Sequence, residues 1–206
     1  VQFLTTNKLK LALDPDFTLL GKFRYSNTQD DNTSEELAFF TEASVGLAYR
    51  PVHFDRFNAL AKYTFLDQMG PQELGQVQSF TSESDVASVE WSLDITRKLE
   101  WVDKIAFKRE TELVGSLPSQ TTHTLLWINR LNYNFWRKFD LAVEYRIRSQ
   151  QEADDRKQGW LTELMWRPVK HFGVGAGYNF TDFSDDEFAD NDYSSHGWFI
   201  RVQATY

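Results

Sequence analysis

Three groups of side chains in this 206-residue sequence could carry chemistry. The first is the four histidines, His53, His123, His171 and His196, with Ser119, Thr121 and Ser195 near two of them in sequence. A hydrolase would need a histidine beside a serine and a carboxylate or carboxamide. No recognisable hydrolase or protease motif surrounds any of the four, so the expectation is a protein that is not an enzyme. The second group is the acidic run Asp185, Asp186, Glu187, Asp190 and Asp192. Its oxygen ligands suit a hard cation, but the spacing matches no defined loop. A solvated acidic loop is the stronger reading, with no metal and no cofactor expected. The third group is Lys22, Arg24, Glu42, Lys62, Glu90, Lys108, Glu144, Arg146, Arg148 and Arg201. These charges alternate with apolar residues along the chain. They either line an ion path that the Lys and Arg bias toward anions, or pair with one another and fill the space. Both readings stay open at this stage.

Alternation is the strand period, and it runs through nearly the whole chain. Phe17, Leu19, Gly21, Phe23 and Tyr25 interleave with Thr18, Leu20, Lys22, Arg24 and Ser26. Phe139, Leu141, Val143, Tyr145 and Ile147 interleave with Asp140, Ala142, Glu144, Arg146 and Arg148. Leu125, Trp127, Leu131 and Tyr133 share a face that Asn129 interrupts. Beginning with 8–13, such segments number about eleven, most of about 9–13 residues, against about 5–6 for strands of soluble proteins. The fold class is therefore all-β. Connections alternate too: 14–16, 51–55, 96–100, 134–138 and 168–171 are short, while 27–35, 67–82, 115–120, 149–158 and 184–195 are longer and polar. An up-and-down meander with one trimmed rim and one elaborated rim produces this order.

Composition bounds the partners. The net charge is −8, and phosphate binding needs clustered Lys and Arg, so nucleic acid is excluded. With no Cys, disulfides, thiol catalysis and thiolate metal sites are impossible. Apolar runs such as Leu125–Ile128 reach about four residues, far short of the ~20 of a membrane helix. Mean hydropathy is −0.51, yet a strand exposing every second residue to lipid is diluted by the other half. Three features favour apolar-out. Strand lengths match the ~9–11 residues a tilted membrane strand needs. Aromatics mark the ends of the apolar series, as Phe39 and Tyr49 or Trp160 and Trp166 do, where ring side chains prefer the lipid–water interface. The opposite face is too densely charged to be a dry core. A soluble β-sandwich binding module is the remote alternative.

The segment from Gly175 to Phe183, followed by Gly197 to Tyr206, resembles the last hairpin of Gram-negative outer-membrane β-barrel proteins. Spaced apolar residues and a terminal aromatic, here Val202, Ala204 and Tyr206, resemble the signal read by the barrel-assembly machinery. Ala204 is small for its slot, and Tyr stands where Phe or Trp is more usual. Segments such as 19–26 and 56–63 are similar to C-terminal barrels of large bacterial surface proteins. The resemblance implies a bacterial outer-membrane location in contact with outer-membrane lipid and lipopolysaccharide. It also implies long loops extracellular and short turns periplasmic.

The expectation is one domain, 1–206, a transmembrane antiparallel up-and-down β-barrel of about 12 strands with aromatic girdles. Bacterial barrels have even strand numbers. A strand ahead of Val1, another envelope chain completing the wall, or an outside linker at 1–6 leading to a passenger region would each reconcile the count. The preferred function is a membrane anchor or scaffold for a cell-surface or envelope protein or complex. The alternative is a passive porin-like channel for ions or small polar solutes.

Overall fold

The computed structural model describes residues 2–31, 36–70, 80–115, 117–152, 155–169, 171–180 and 197–204. They form eleven strands: β1 Gln2–Ala12, β2 Phe17–Gln29, β3 Glu36–Tyr49, β4 Phe57–Met69, β5 Phe80–Thr96, β6 Leu99–Val114, β7 Gln120–Trp136, β8 Phe139–Gln150, β9 Asp155–Val169, β10 Phe172–Asn179 and β11 Gly197–Ala204. One sheet holds them all in sequence order, every neighbour antiparallel. β1 and β11 are its two edges, unpaired with each other among the described residues. Tyr206 and the acidic run Asp185–Asp192 lie outside the described residues.

Hairpins at the short-turn rim are fixed by local polar side chains. Asp14 Oδ1 accepts the N–H groups of Asp16 and Phe17 at 2.8 and 2.7 Å, closing the β1–β2 turn. Thr96 Oγ1 does the same for Lys98 and Leu99 at 3.2 and 3.1 Å, closing β5–β6. Such Asx- and ST-type turns satisfy backbone donors that the ladder cannot reach. Asp16 Oδ1 also takes the Val52 N–H at 2.7 Å and so ties adjacent turns together.

At the other rim the strands run further than hydropathy suggests. β5, β6 and β7 have 17, 16 and 17 residues, and positions 80–82 and 155–158, assigned to loops from sequence, are ladder residues. The backbone ladder continues after the apolar alternation stops, because strand pairing does not depend on which side chains it carries. The first segment departs most from expectation. Gln2–Thr6 is not an outside linker: it pairs with Arg24–Thr28 as the upper half of β1.

Cross-strand register shows which residues share a face. Lys22 faces Ser44, Arg24 faces Glu42, and the same row continues through Leu66, Ser84 and Glu110. Every buried position of the sheet but one lies on this face, among the described residues. Residues from β5 to β11, including Asp94 and Gln203, border a single cavity of about 370 Å³ on it, so the sheet is curled with this face inward. The other face carries Phe23, Val45, Tyr63, Val89, Phe107, Leu125, Trp160 and Ile200, all exposed. Apolar side chains thus point outward and charges inward, the reverse of a soluble barrel.

β10 approaches its neighbours closely because Gly173, Gly175 and Gly177 stand at three consecutive inward positions. A Cβ on Gly177 would lie 2.6 Å from the Thr162 carbonyl oxygen and overlap the Phe199 ring. Gly177→Ala is therefore expected to destabilise the β9–β10–β11 hairpins by about 1–3 kcal/mol, the usual cost of overpacking. Denaturant unfolding in detergent measures it, and an unchanged midpoint would show that β10 yields freely.

Candidate functional site

Two adjacent ion-pair networks dominate the inward face. On β7–β11, Arg130 bridges two carboxylates, with Nη1 at 3.1 Å from Glu144 Oε2 and Nη2 at 3.1 Å from Glu163 Oε2. Arg146 pairs with Glu144, and Arg201 Nη1 reaches Glu163 Oε2 at 3.3 Å. Glu144 and Glu163 are almost fully buried. A lone buried carboxylate costs several kcal/mol, so the arginines supply the counter-charge that makes these positions tolerable. Leu126, Leu161, Ala142 and Met165 pack on the same face between the charges. The cavity of about 370 Å³ lies against these same residues, so this half of the interior is neutralised by pairing but not filled.

On β2–β6 the charges are looser. Glu42 accepts Lys22 Nζ at 2.7 Å and Arg24 Nη1 at 3.4 Å, and Lys108 Nζ lies 2.9 Å from Glu110. Lys62 and Glu90 face the same interior but are exposed. No ion pair joins either to another described residue. Lys8 is the direct cross-strand partner of Lys22, and Lys10 follows on the same face. Like charges directly opposite repel, so this side of the interior keeps a positive strip in contact with solvent.

The structure places all ten charged residues singled out from the sequence on the inward face. It brings Lys22, Arg24 and Glu42 together, and Glu144 with Arg146, while Arg148 turns to Asp155 at 3.6 Å. It separates Lys62 and Glu90 from these groups. The bridging Arg130 and Glu163, and the Arg167–Asp140 pair at 2.7 Å, were not singled out. Parity alone would have placed them inward, since each shares its parity with the other inward residues of its strand. Val202 and Ala204 sit outward on β11 opposite Val174 and Phe172.

At the long-loop rim, His123 is held by the β8–β9 connection. Its backbone N–H donates to Glu152 Oε2 at 2.7 Å, and its Nδ1 lies 2.5 Å from Glu152 Oε1. The Gln151 N–H returns to the His123 carbonyl at 3.1 Å. Hydrogen bonding to His123 holds the Glu152 carboxyl below its ordinary range. The histidine thus acts as a rim clamp.

No family model and no curated protein matches the chain. Eight chains of solved structures match it. One is a NanC porin in a rhombohedral crystal form, 12% identical, with a TM-score of 0.53, covering 100% of this chain and 94% of that one. At that identity the likeness concerns the fold.

A lowered folded-state pKa stabilises above the unfolded value and is lost as pH falls through the folded one. Glu152→Ala is therefore expected to speed hydrogen exchange of the His123 amide several-fold at neutral pH. The difference from the parent should persist through the ordinary carboxylate range and be lost only as pH falls below it, through the lowered folded-state pKa. An equal difference at all pH values would remove the carboxylate from the clamp. The chain has the all-antiparallel, up-and-down β-barrel fold of a porin.

Proposed function

We propose that this chain is an outer-membrane barrel whose interior passes small polar solutes and ions, with a preference for anions. The observation that carries the reading is the split interior. β7–β11 border the cavity with mutually neutralised ion pairs, whereas β1–β5 leave Lys8, Lys10 and Lys62 exposed on the same inward face. A path bordered by an excess of exposed cations attracts anions and repels cations. The outward apolar face and inward charge support the membrane location, and the porin-type fold is in keeping with it. The short turns then face the periplasm and the longer connections the exterior. Lipopolysaccharide would surround the upper rim, and assembly would pass through the barrel-assembly machinery by way of the last strand.

A second reading has its own support. The Arg130–Glu144–Glu163–Arg201 lattice reaches across β7, β8, β9 and β11, and three of its members are less than a quarter exposed. If the same packing extends across the interior, the barrel serves as an anchor or scaffold for an envelope protein. Either role needs the open edges closed. A strand from beyond this segment or from another chain, antiparallel to both β1 and β11, would suffice, because those two strands run the same way.

Planar-bilayer recordings separate the two roles. The channel reading predicts discrete conductance steps with anion preference, reversed toward cations by Lys62→Glu. Silence from barrels that migrate as heat-modifiable species in detergent gels would leave the anchor reading. Unchanged selectivity in Lys62→Glu would show that the strip does not border the path.

A further inference from the structure

Asp103 is the one buried residue on the outward face among the described residues, 3% exposed. It stands midway along the apolar outward series of β6, which begins at Leu99 and ends at Phe107 before Arg109. Its direct partner on β7 is Asn129, within one residue of the midpoint between Leu125 and Phe135. A carboxylate and a carboxamide therefore lie side by side at the centre of the band that faces hydrocarbon. Ionisable groups at that depth are costly and mark a site by default.

The carboxylate is satisfied within the chain. Trp127 Nε1 donates to Oδ1 at 2.9 Å, and Asn129 Nδ2 donates to Oδ2 at 2.7 Å. Trp91, the partner on β5, and Trp101 meet edge to face at 6.3 Å around it. Because a carboxylate only accepts, the orientation of the Asn129 amide is fixed: Nδ2 toward Asp103. One N–H and the carbonyl oxygen of Asn129 remain, on a side chain that is partly exposed. The amide makes no other hydrogen bond among the described residues. Lipid tails offer it no partner.

A carboxamide with one donor and one acceptor to spare is complementary to itself. We propose that the outward face of β6–β8, centred on Asn129, is a contact between two copies of this chain. This rests on the membrane reading given above. A two-fold axis along the membrane normal keeps both amides at the same depth, as equal insertion requires. Each free N–H then donates to the other copy's Oδ1, while Asp103 holds both amides in position. Trp127, Leu131 and Tyr145 supply apolar contact around the pair. Polar residues at matching depth join membrane segments in this way.

The absence of Cys allows a direct test on the full chain in native membranes. Leu131→Cys places one thiol two residues from Asn129 and leaves the amide intact. With a short bismaleimide it should give a covalent dimer. Adding Asn129→Leu should reduce that dimer about fivefold, and Ile200→Cys on β11 should stay monomeric. The proposal is overturned if Leu131→Cys gives no dimer, gives an adduct with a different protein, or dimerises equally with Asn129→Leu. Heat-modifiable migration of each variant on the same gel separates this failure from that of the membrane reading. Loss of heat modifiability in the parent chain would overturn both.

Discussion

A strand wall immersed in hydrocarbon must satisfy every backbone N–H and C=O within itself, because lipid offers no partner for them. On the membrane reading, the rest of this structure follows from that constraint. The continuous antiparallel ladder from β1 to β11 meets it for every interior strand. Once the ladder fixes the backbone, side chains can only alternate between the outer face and the interior. The period of two is thus the mechanism by which one sheet is apolar outside and charged inside. The same constraint leaves the two edges as positions of high free energy until a strand covers them.

The interior solves a second problem, that of holding charge at low dielectric. Glu144 and Glu163 survive burial because Arg130 reaches both at once, with Arg146 and Arg201 completing the counter-charge. One guanidinium serves two carboxylates by its fork geometry, which a lysine could not do. The glycines of β10 make room for this arrangement. A Cβ at Gly175 would sit 3.2 Å from Glu163 Oε1. Neutralised charge around the cavity on the β7–β11 side and exposed lysines on the β1–β5 side therefore come from the same sheet and from its distribution of glycine, arginine and lysine.

Strand identity and which residues share a face were legible from alternation, since both depend only on local parity, while the inward sense of the charged face came from strand length, aromatic placement and charge density. Strand ends at the long-loop rim were not, because Glu83, Asp85, Arg109 and Arg156 obey the ladder but not the hydropathy pattern. Upper β1 was missed for a related reason: Gln2, Thr5 and Thr6 blur the alternation there, and only pairing with β2 fixes it. The inward charges could be named singly, but not the bridging by Arg130, which joins β7 to β9 across an intervening strand. Asn129 was visible as a break in an apolar face. Its partner Asp103 was hidden, because the cross-strand register that sets them together is a long-range property.

The claim on which all of this rests is that odd positions along β7 face lipid and even ones the interior. Single cysteines, spin-labelled at successive positions from 125 to 133, report it directly through collision with oxygen in lipid and with a nickel chelate in water. The account predicts oxygen favoured at 125, 127, 131 and 133, the chelate favoured at 130 and 132, which border the cavity, and neither favoured at the fully buried 126. Equal access of the chelate to both sets, or its preference for the odd positions, would contradict a membrane-spanning wall.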